Sequence, residues 1–299
     1  MTSIPAVAQF WQRLSRASPH MTFPNSHLEI GFTIVSALFL IGIRLISLQI
    51  LERLFGWPTN SSLTDEAAAS MSGIVHSSLL CPGLIVAFQS HTYSPSEPMS
   101  KAPNKWWQNL VDALLQFCTG YMIYDASFIV WSRCSWDPSI SWIVQFSFQG
   151  DDFLFLGHHL ATTVYMTQAR VYQAGHMSAM MCMLIGEASN PTMNTWFITS
   201  KALTLDCCNG SWMQLIHKYN EMFFCSLYLL LRVVVGPMVC THMSYDLFLS
   251  TNAKEHLPLS LRLFWNMMIW AVIIGSYSWI VYTHTMLSKH IYGDTEQEL

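Results

Sequence analysis

Apolar residues run along this chain in blocks longer than a helix or strand of a soluble protein needs, and polar residues gather in the gaps between them. A bilayer-spanning helix takes about 20 mostly apolar residues. Seven stretches qualify, at about 29 to 51, 70 to 90, 109 to 132, 153 to 169, 177 to 200, 222 to 248 and 263 to 287. The fourth is short and polar, while residues 139 to 149, SISWIVQFSFQ, add an apolar run of interfacial or re-entrant length. The pattern predicts an all-α fold, a polytopic transmembrane helical bundle of about seven spans, with six to eight open. Loops marked by Pro and Asn separate the other spans: WPTNSS at 57 to 62, SPSEPMSKAPNK at 94 to 105 and STNAKEHLP at 250 to 258. No internal repeat and no second domain is read. Residues 1 to 28 form an N-terminal tail in which Arg13 and Arg16 precede no apolar run of signal-peptide length, so no cleavage is expected. Residues 29 to 64 hold the first span and its loop, and 289 to 299 a C-terminal tail, ending DTEQEL without a KDEL-type address.

Composition agrees with the pattern. Of 299 residues 52% are hydrophobic and 11% charged, against roughly 25% charged in a soluble globular domain. A net charge of -4 with scattered Lys and Arg leaves no basic stripe for phosphates, which excludes nucleic acid as a partner. Disorder is excluded by the same apolar content. Orientation is not decided: with seven spans and the N-terminus inside, seven basic residues fall inside (Arg13, Arg16, Lys101, Lys105, Arg170, Lys254, Arg262) and five outside (Arg53, Arg133, Lys201, Lys218, Lys289). The eight cysteines lack paired C-x-x-C spacing and read mostly as small buried hydrophobes, with Cys207 and Cys208 a loop pair. Met-rich runs such as MSAMMCM at 177 to 183 read as packing.

An ionisable side chain near the bilayer centre costs about 2.5 to 3.5 kcal/mol on insertion scales, so each one needs a reason. The candidates are Arg44, which can snorkel, and Asp125, His158, His159, Glu187 and Arg232, with Asp112, Asp151 and Asp152 nearer helix ends. In QGDDFLFLGHHLATTVY (149 to 165), helical spacing puts Asp151, His158, Thr162 and Tyr165 on one polar stripe, and His159 nearer Asp152 and Thr163. Either imidazole suits a general base or nucleophile in a dry pocket, oriented by Asp151 or Asp152. The other reading is a pair of neutral histidines bonded to facing helices. In MLIGEASNPTMNTWF (183 to 197), Glu187, Asn190 and Asn194 share a face, and Pro191 lacks the amide hydrogen that would bond the carbonyl of Glu187. The helix is expected to bend there and line a polar cavity. A buried ion pair of Arg232 with Asp125 or Glu187 is expected to account for those mid-helix charges.

With YxxYD ending at Asp125, the HH pair at 158 and 159, EASNPTMN at 187 to 194 and RVVVGP from Arg232, the chain resembles the TRAM-LAG1-CLN8 (TLC) domain family over about residues 65 to 288. It looks closest to the TLC domain-containing proteins that are not ceramide synthases. The resemblance implies a multi-pass protein of the endoplasmic reticulum or a related endomembrane, concerned with lipid composition. Some relatives are ceramide synthases, which transfer a fatty acyl group from acyl-coenzyme A to a sphingoid base. In those enzymes a His-Asp-x-x-Asp element follows the HH pair. By position it would fall near Ile185, Gly186 and Ser189, so the second acidic motif is missing here.

The leading expectation is membrane lipid homeostasis through an intramembrane polar cavity that takes a lipid or fatty acyl group. His158, His159 and Glu187 are the candidates for chemistry, and Asp125, Asp151, Asp152, Thr162, Tyr165, Asn190, Asn194 and Arg232 those for binding. Catalysis stays open. An acyl-CoA-dependent N-acyltransferase, with acyl-CoA as co-substrate and no resident cofactor, is the first alternative, with Glu187 handling the amine proton. A non-enzymatic transporter or trafficking factor is the second, though a transporter is expected to carry a paired broken helix in a second half. A membrane di-iron enzyme is set aside, because one adjacent His pair without further HxxxH boxes supplies too few ligands, and no metal is expected.

Overall fold

The computed structural model describes residues 4–91, 94–102, 104–135, 145–146, 148 and 150–293. Twelve helices account for most of them: α1 (Ala6–Ala17), α2 (Gly31–Leu54), α3 (Ser62–Ser90), α4 (Lys105–Ser132), α5 (Gly150–Tyr172), α6 (His176–Glu187), α7 (Asn190–Ala202), α8 (Ser211–Leu229), α9 (Gly236–Leu249), α10 (Thr251–His256), α11 (Leu259–Gly275) and α12 (Tyr277–Tyr292). A π-helical turn, Leu230–Val235, fuses α8 and α9 into one rod. Two-residue strands β1 (Cys134–Ser135) and β2 (Gln145–Phe146) pair antiparallel between α4 and α5. The extra apolar run at 139 to 149 lies largely outside the described residues.

Among the described residues five segments are long and apolar enough to cross a membrane: Gly31–Leu54, Ser62–Ser90, Lys105–Ser132, Ser211–Leu249 and Leu259–Tyr292. Two further rods, α5 and the broken pair α6–α7, carry most of the polar residues read from the sequence. The seven rods alternate in direction, and contacts between their ends show it. At one end the loop after α3 meets the end of α9 (Ser94 Oγ to Asp246 Oδ1, 2.5 Å), and Arg170 at the end of α5 donates to Asp112 Oδ1 of α4 at 2.7 Å. At the other end Lys201 of α7 pairs with Glu66 of α3 at 2.5 Å, Arg44 of α2 with Asp65 of α3, and His290 of α12 with Glu221 of α8 at 2.5 Å. This alternation separates the basic residues into the same two sets that the sequence assigned to opposite sides.

Lipid tails are as apolar as Leu, so rods immersed in them associate through close packing and interhelical hydrogen bonds rather than through hydrophobic burial. Small residues mark the crossings. A Cβ on Gly120 of α4 would sit 2.6 Å from the Thr33 carbonyl of α2, and one on Gly73 of α3 2.7 Å from the Asn194 amide of α7. Ser72 of α3 also donates to the Leu40 carbonyl of α2 at 3.1 Å. The outer face of α2 exposes Leu38, Phe39, Leu45, Ile46 and Ile50, as a lipid-facing helix should.

The N-terminal tail is more structured than the sequence reading held. Its α1 buries Ala8 and Trp11 in the main core, with Trp11 edge-on to Phe117 at a centroid distance of 4.9 Å. The chain is also broken in more places than the one expected. The α6–α7 rod breaks at Ala188–Ser189, where Pro191 in the first turn of α7 supplies no amide for the Glu187 carbonyl. The α8–α9 rod widens into its π turn where Pro237 supplies none for Val233, and Gly236 N donates instead to the Leu231 carbonyl. The last rod breaks at Ser276, between α11 and α12.

Candidate functional site

These three irregularities face one another. A cavity of about 620 Å³ is lined by residues from all three, Glu187, Arg232 and Ser276 among them, and by α3, α4 and α5. Irregular backbone at membrane depth is tolerated where it is buried in protein or lines such a space. The cavity runs from the Glu66–Lys201 ion pair at one end of the bundle to Arg232 and Met268 near the middle of their rods. A smaller chamber of about 70 Å³ adjoins it and shares His158, Glu187 and Arg232; its other walls include Met122, Met166, Met183 and Ile273.

The structure brings His158, His159, Asp125, Glu187, Asn190, Asn194 and Arg232 to the larger cavity, and Thr162 and Tyr165 to the smaller chamber with His158. Their partners differ from the expected ones. His159 Nδ1–H donates to the Phe155 carbonyl at 2.5 Å, and Nε2 lies 2.7 Å from Asp125 Oδ2 on α4, so an acceptor faces each ring nitrogen. Asp125 is therefore the acid that meets His159. Asp152 instead binds Arg133, with oxygens 2.9 and 3.2 Å from Nε and a terminal nitrogen. Helical spacing on α5 gave the direction in which each histidine points, but not which neighbouring helix stands there. The backbone of Asp151 lies in the first turn of α5, and its side chain is outside what is described.

His158 touches the ring of His159 edge-on at 5.6 Å, and among the described residues it has no hydrogen-bond partner. It is the free imidazole of the pair, in both chambers. Thr162 lies one turn further along α5, and Tyr165 shares a 2.7 Å hydrogen bond with Ser178 of α6.

Glu187 is buried, and among the described residues its hydrogen bonds all fall on one carboxylate oxygen. Its Oε2 accepts from Ser77 Oγ at 2.7 Å and Asn190 Nδ2 at 2.9 Å, and lies 3.2 Å from His76 Nδ1, off the hydrogen-bond axis. His76 stacks on Tyr121 with centroids 3.9 Å apart and on Phe117 at 5.1 Å. Sequence reasoning passed over His76 and Ser77, although His76 lies inside the second apolar stretch and the cost argument applied to Arg232 covers it equally. Asn194 donates back to the Asn190 carbonyl at 2.9 Å, and so ties the first turn of α7.

The expected ion pair is absent. Among the described residues Arg232 has no carboxylate within 4.0 Å; it reaches the Gly186 carbonyl at 3.5 Å and lies over the Tyr228 ring at 5.6 Å. Imidazoles have taken both acids, His159 at Asp125 and His76 beside Glu187. No group of three or more His, Cys, Asp or Glu side chains among the described residues is arranged to hold a metal ion.

Apolar outer faces, long helices and an interior that gathers acids, imidazoles and an arginine define a polytopic helical membrane protein. A family model for the TLC domain matches residues 67–283. The chain belongs to the TLC domain family. Among curated proteins none matches it.

Proposed function

We propose that this TLC protein holds a lipid or fatty acyl group in the 620 Å³ cavity and acts through it on the lipid composition of an endomembrane such as the endoplasmic reticulum. The observation that carries the reading is the mixed lining of that cavity. His158, Asp125, Asn190 and Arg232 border it together with Phe128, Phe155, Met267, Val272 and Trp279. An amphiphile matches both, and the volume falls within the roughly 300 to 1,000 Å³ of sites that enclose one small ligand.

A second reading, acyl transfer, rests on His158. A free imidazole beside the Asp125–His159 pair suits attack on a thioester carbonyl, with the thiolate of coenzyme A leaving and the acyl group passing from the ring nitrogen to an acceptor amine. It equally suits removal of the amine proton during direct transfer. Glu187, whose Oε2 is occupied by Ser77 and Asn190, positions the α3 and α6–α7 walls in either case.

One preparation tests both readings. Native mass spectrometry of the purified protein should find a co-purified lipid, and Ala161→Trp, which fills the space shared by the two chambers, should lose it. An unchanged lipid complement in that variant counts against the cavity. Supplied with acyl-coenzyme A and a long-chain base, the protein should form product above the level of His158→Ala if it is a transferase. Equal rates remove the acyl-transfer reading and leave the binding one.

A further inference from the structure

The charge left over in the site identifies the head group that the cavity takes. Arg232 is 9% exposed, and its Nε is buried without a hydrogen-bond partner. Guanidinium never gives up its charge in a protein, so the group must be matched by something negative or densely polar. Both nearby acids are engaged elsewhere, Asp125 with His159 and Glu187 with Ser77, Asn190 and His76. What remains around Arg232 is one long contact to a carbonyl and the face of Tyr228. An unpaired buried cation is the costliest arrangement that a membrane interior can hold, and the fold holds this one at the junction of the two chambers.

The backbone has been shaped to put it there. Arg232 is the third residue of the π turn, which exists because Pro237 cannot bond back to Val233 and Gly236 bonds to Leu231 instead. A Cβ on Gly236 would lie 2.9 Å from the Leu231 carbonyl, so a larger residue would strain that turn. π turns inside α-helices concentrate at functional sites, where the extra residue per turn redirects a side chain. Beyond Arg232 the small chamber offers Met122, Met166, Met183, Ile269 and Ile273, a lining for hydrocarbon.

We infer that Arg232 is the anchor for an oxyanion, and that the cavity binds an acyl amphiphile with a carboxylate or phosphate head, its chain along the methionine-lined walls. The inference rests on the lipid-binding reading of the same cavity. Arginine presents a planar fork of donors that matches either oxyanion with two parallel hydrogen bonds. The two sources of that chemistry, a free fatty acid and a lysophospholipid, differ in the size, charge and oxygen count of the head.

Equilibrium binding to the purified full-length protein in nanodiscs of neutral lipid distinguishes the outcomes. The probes are palmitate with hexadecanol as its uncharged counterpart, and palmitoyl lysophosphatidic acid with monopalmitoylglycerol as its own. Wild type should prefer at least one anion over its counterpart by tenfold or more. Arg232→Met, similar in length and uncharged, should abolish that preference while hexadecanol binds as in wild type, which also shows that the variant is folded. Arg232→Lys should restore part of the preference. The inference is overturned if wild type binds anion and alcohol alike, or if Arg232→Met keeps the preference; the cavity reading then stands on hexadecanol binding. If none of the four probes binds wild type, both fail together.

Discussion

Two carboxylate–imidazole pairs sit in the interior of this bundle, and they have opposite surroundings. Asp125–His159 joins α4 to α5, lines the cavity, and keeps the Asp125 side chain 21% exposed to it. Glu187–His76 joins α6 to α3; its side chains are 3% and 0% exposed, and His76 is sealed between Tyr121 and Phe117. The first pair has spare access and few other bonds. The second is bonded more densely, because Glu187 Oε2 serves Ser77, Asn190 and the His76 contact at once, although Glu187 too borders both chambers. Two acids of the same cost in a bilayer have thus been used differently, one to hold an imidazole at the cavity wall and one to hold a broken helix to its neighbour.

The largest effect should follow from breaking the second pair. Glu187→Ala removes the common acceptor of Ser77 and Asn190 and leaves His76 buried without its acid. Leaving a buried donor without its acceptor costs about 1 to 3 kcal/mol for each group, and two lose theirs here. Reversible unfolding in mixed micelles should show a loss of that order. Asp125→Asn should be milder, about 1 kcal/mol, because the amide keeps the shape and the site is open to the cavity. Its main result should lie elsewhere, in a changed lipid complement or a lowered acyl-transfer rate, as a neutral amide replaces the charged carboxylate that orients His159. Equal stability losses for the two variants would erase the contrast drawn between the pairs.

The rods were legible in the sequence because apolar runs of spanning length have few alternatives; the observed helices follow the predicted stretches but begin well before two of them, at Ser62 rather than 70 and at Ser211 rather than 222. The gathering of His158, His159, Asp125, Glu187, Asn190, Asn194 and Arg232 was legible for a related reason: a lipid-facing helix surface cannot carry them, so each had to turn inward. The pairings were not. Reading Arg232 as the partner of an acid assumed that opposite full charges find each other first, whereas imidazoles on α3 and α5 stand closer to both acids. Those distances depend on how helices are arranged around the bundle, which periodicity along one helix does not encode. His76 was legible by the cost argument and was passed over. The packing of α1, through Trp11, against Phe32 and Phe117 was hidden because a short amphipathic helix carries no spanning signal.

The smallest effect sharpens the comparison from outside. Asp152 stands seven residues before His159 on α5, and sequence spacing made it the natural orienting acid. In the structure it faces Arg133 at the end of α4, in an ion pair whose side chains are 31% and 11% exposed. Pairs of that exposure contribute about 0 to 1 kcal/mol, since water and salt screen them. Asp152→Asn should therefore lower stability by less than about 1 kcal/mol, and by less still in high salt, where the Debye length shortens to about 3 Å at 1 M. It should leave the co-purified lipid and any turnover unchanged, because no hydrogen bond links Asp152 to either histidine among the described residues. Loss of bound lipid in this variant, at unchanged stability, would return the orienting role to α5 itself and remove the distinction between the acid that presents His159 and the acids that only hold helices together.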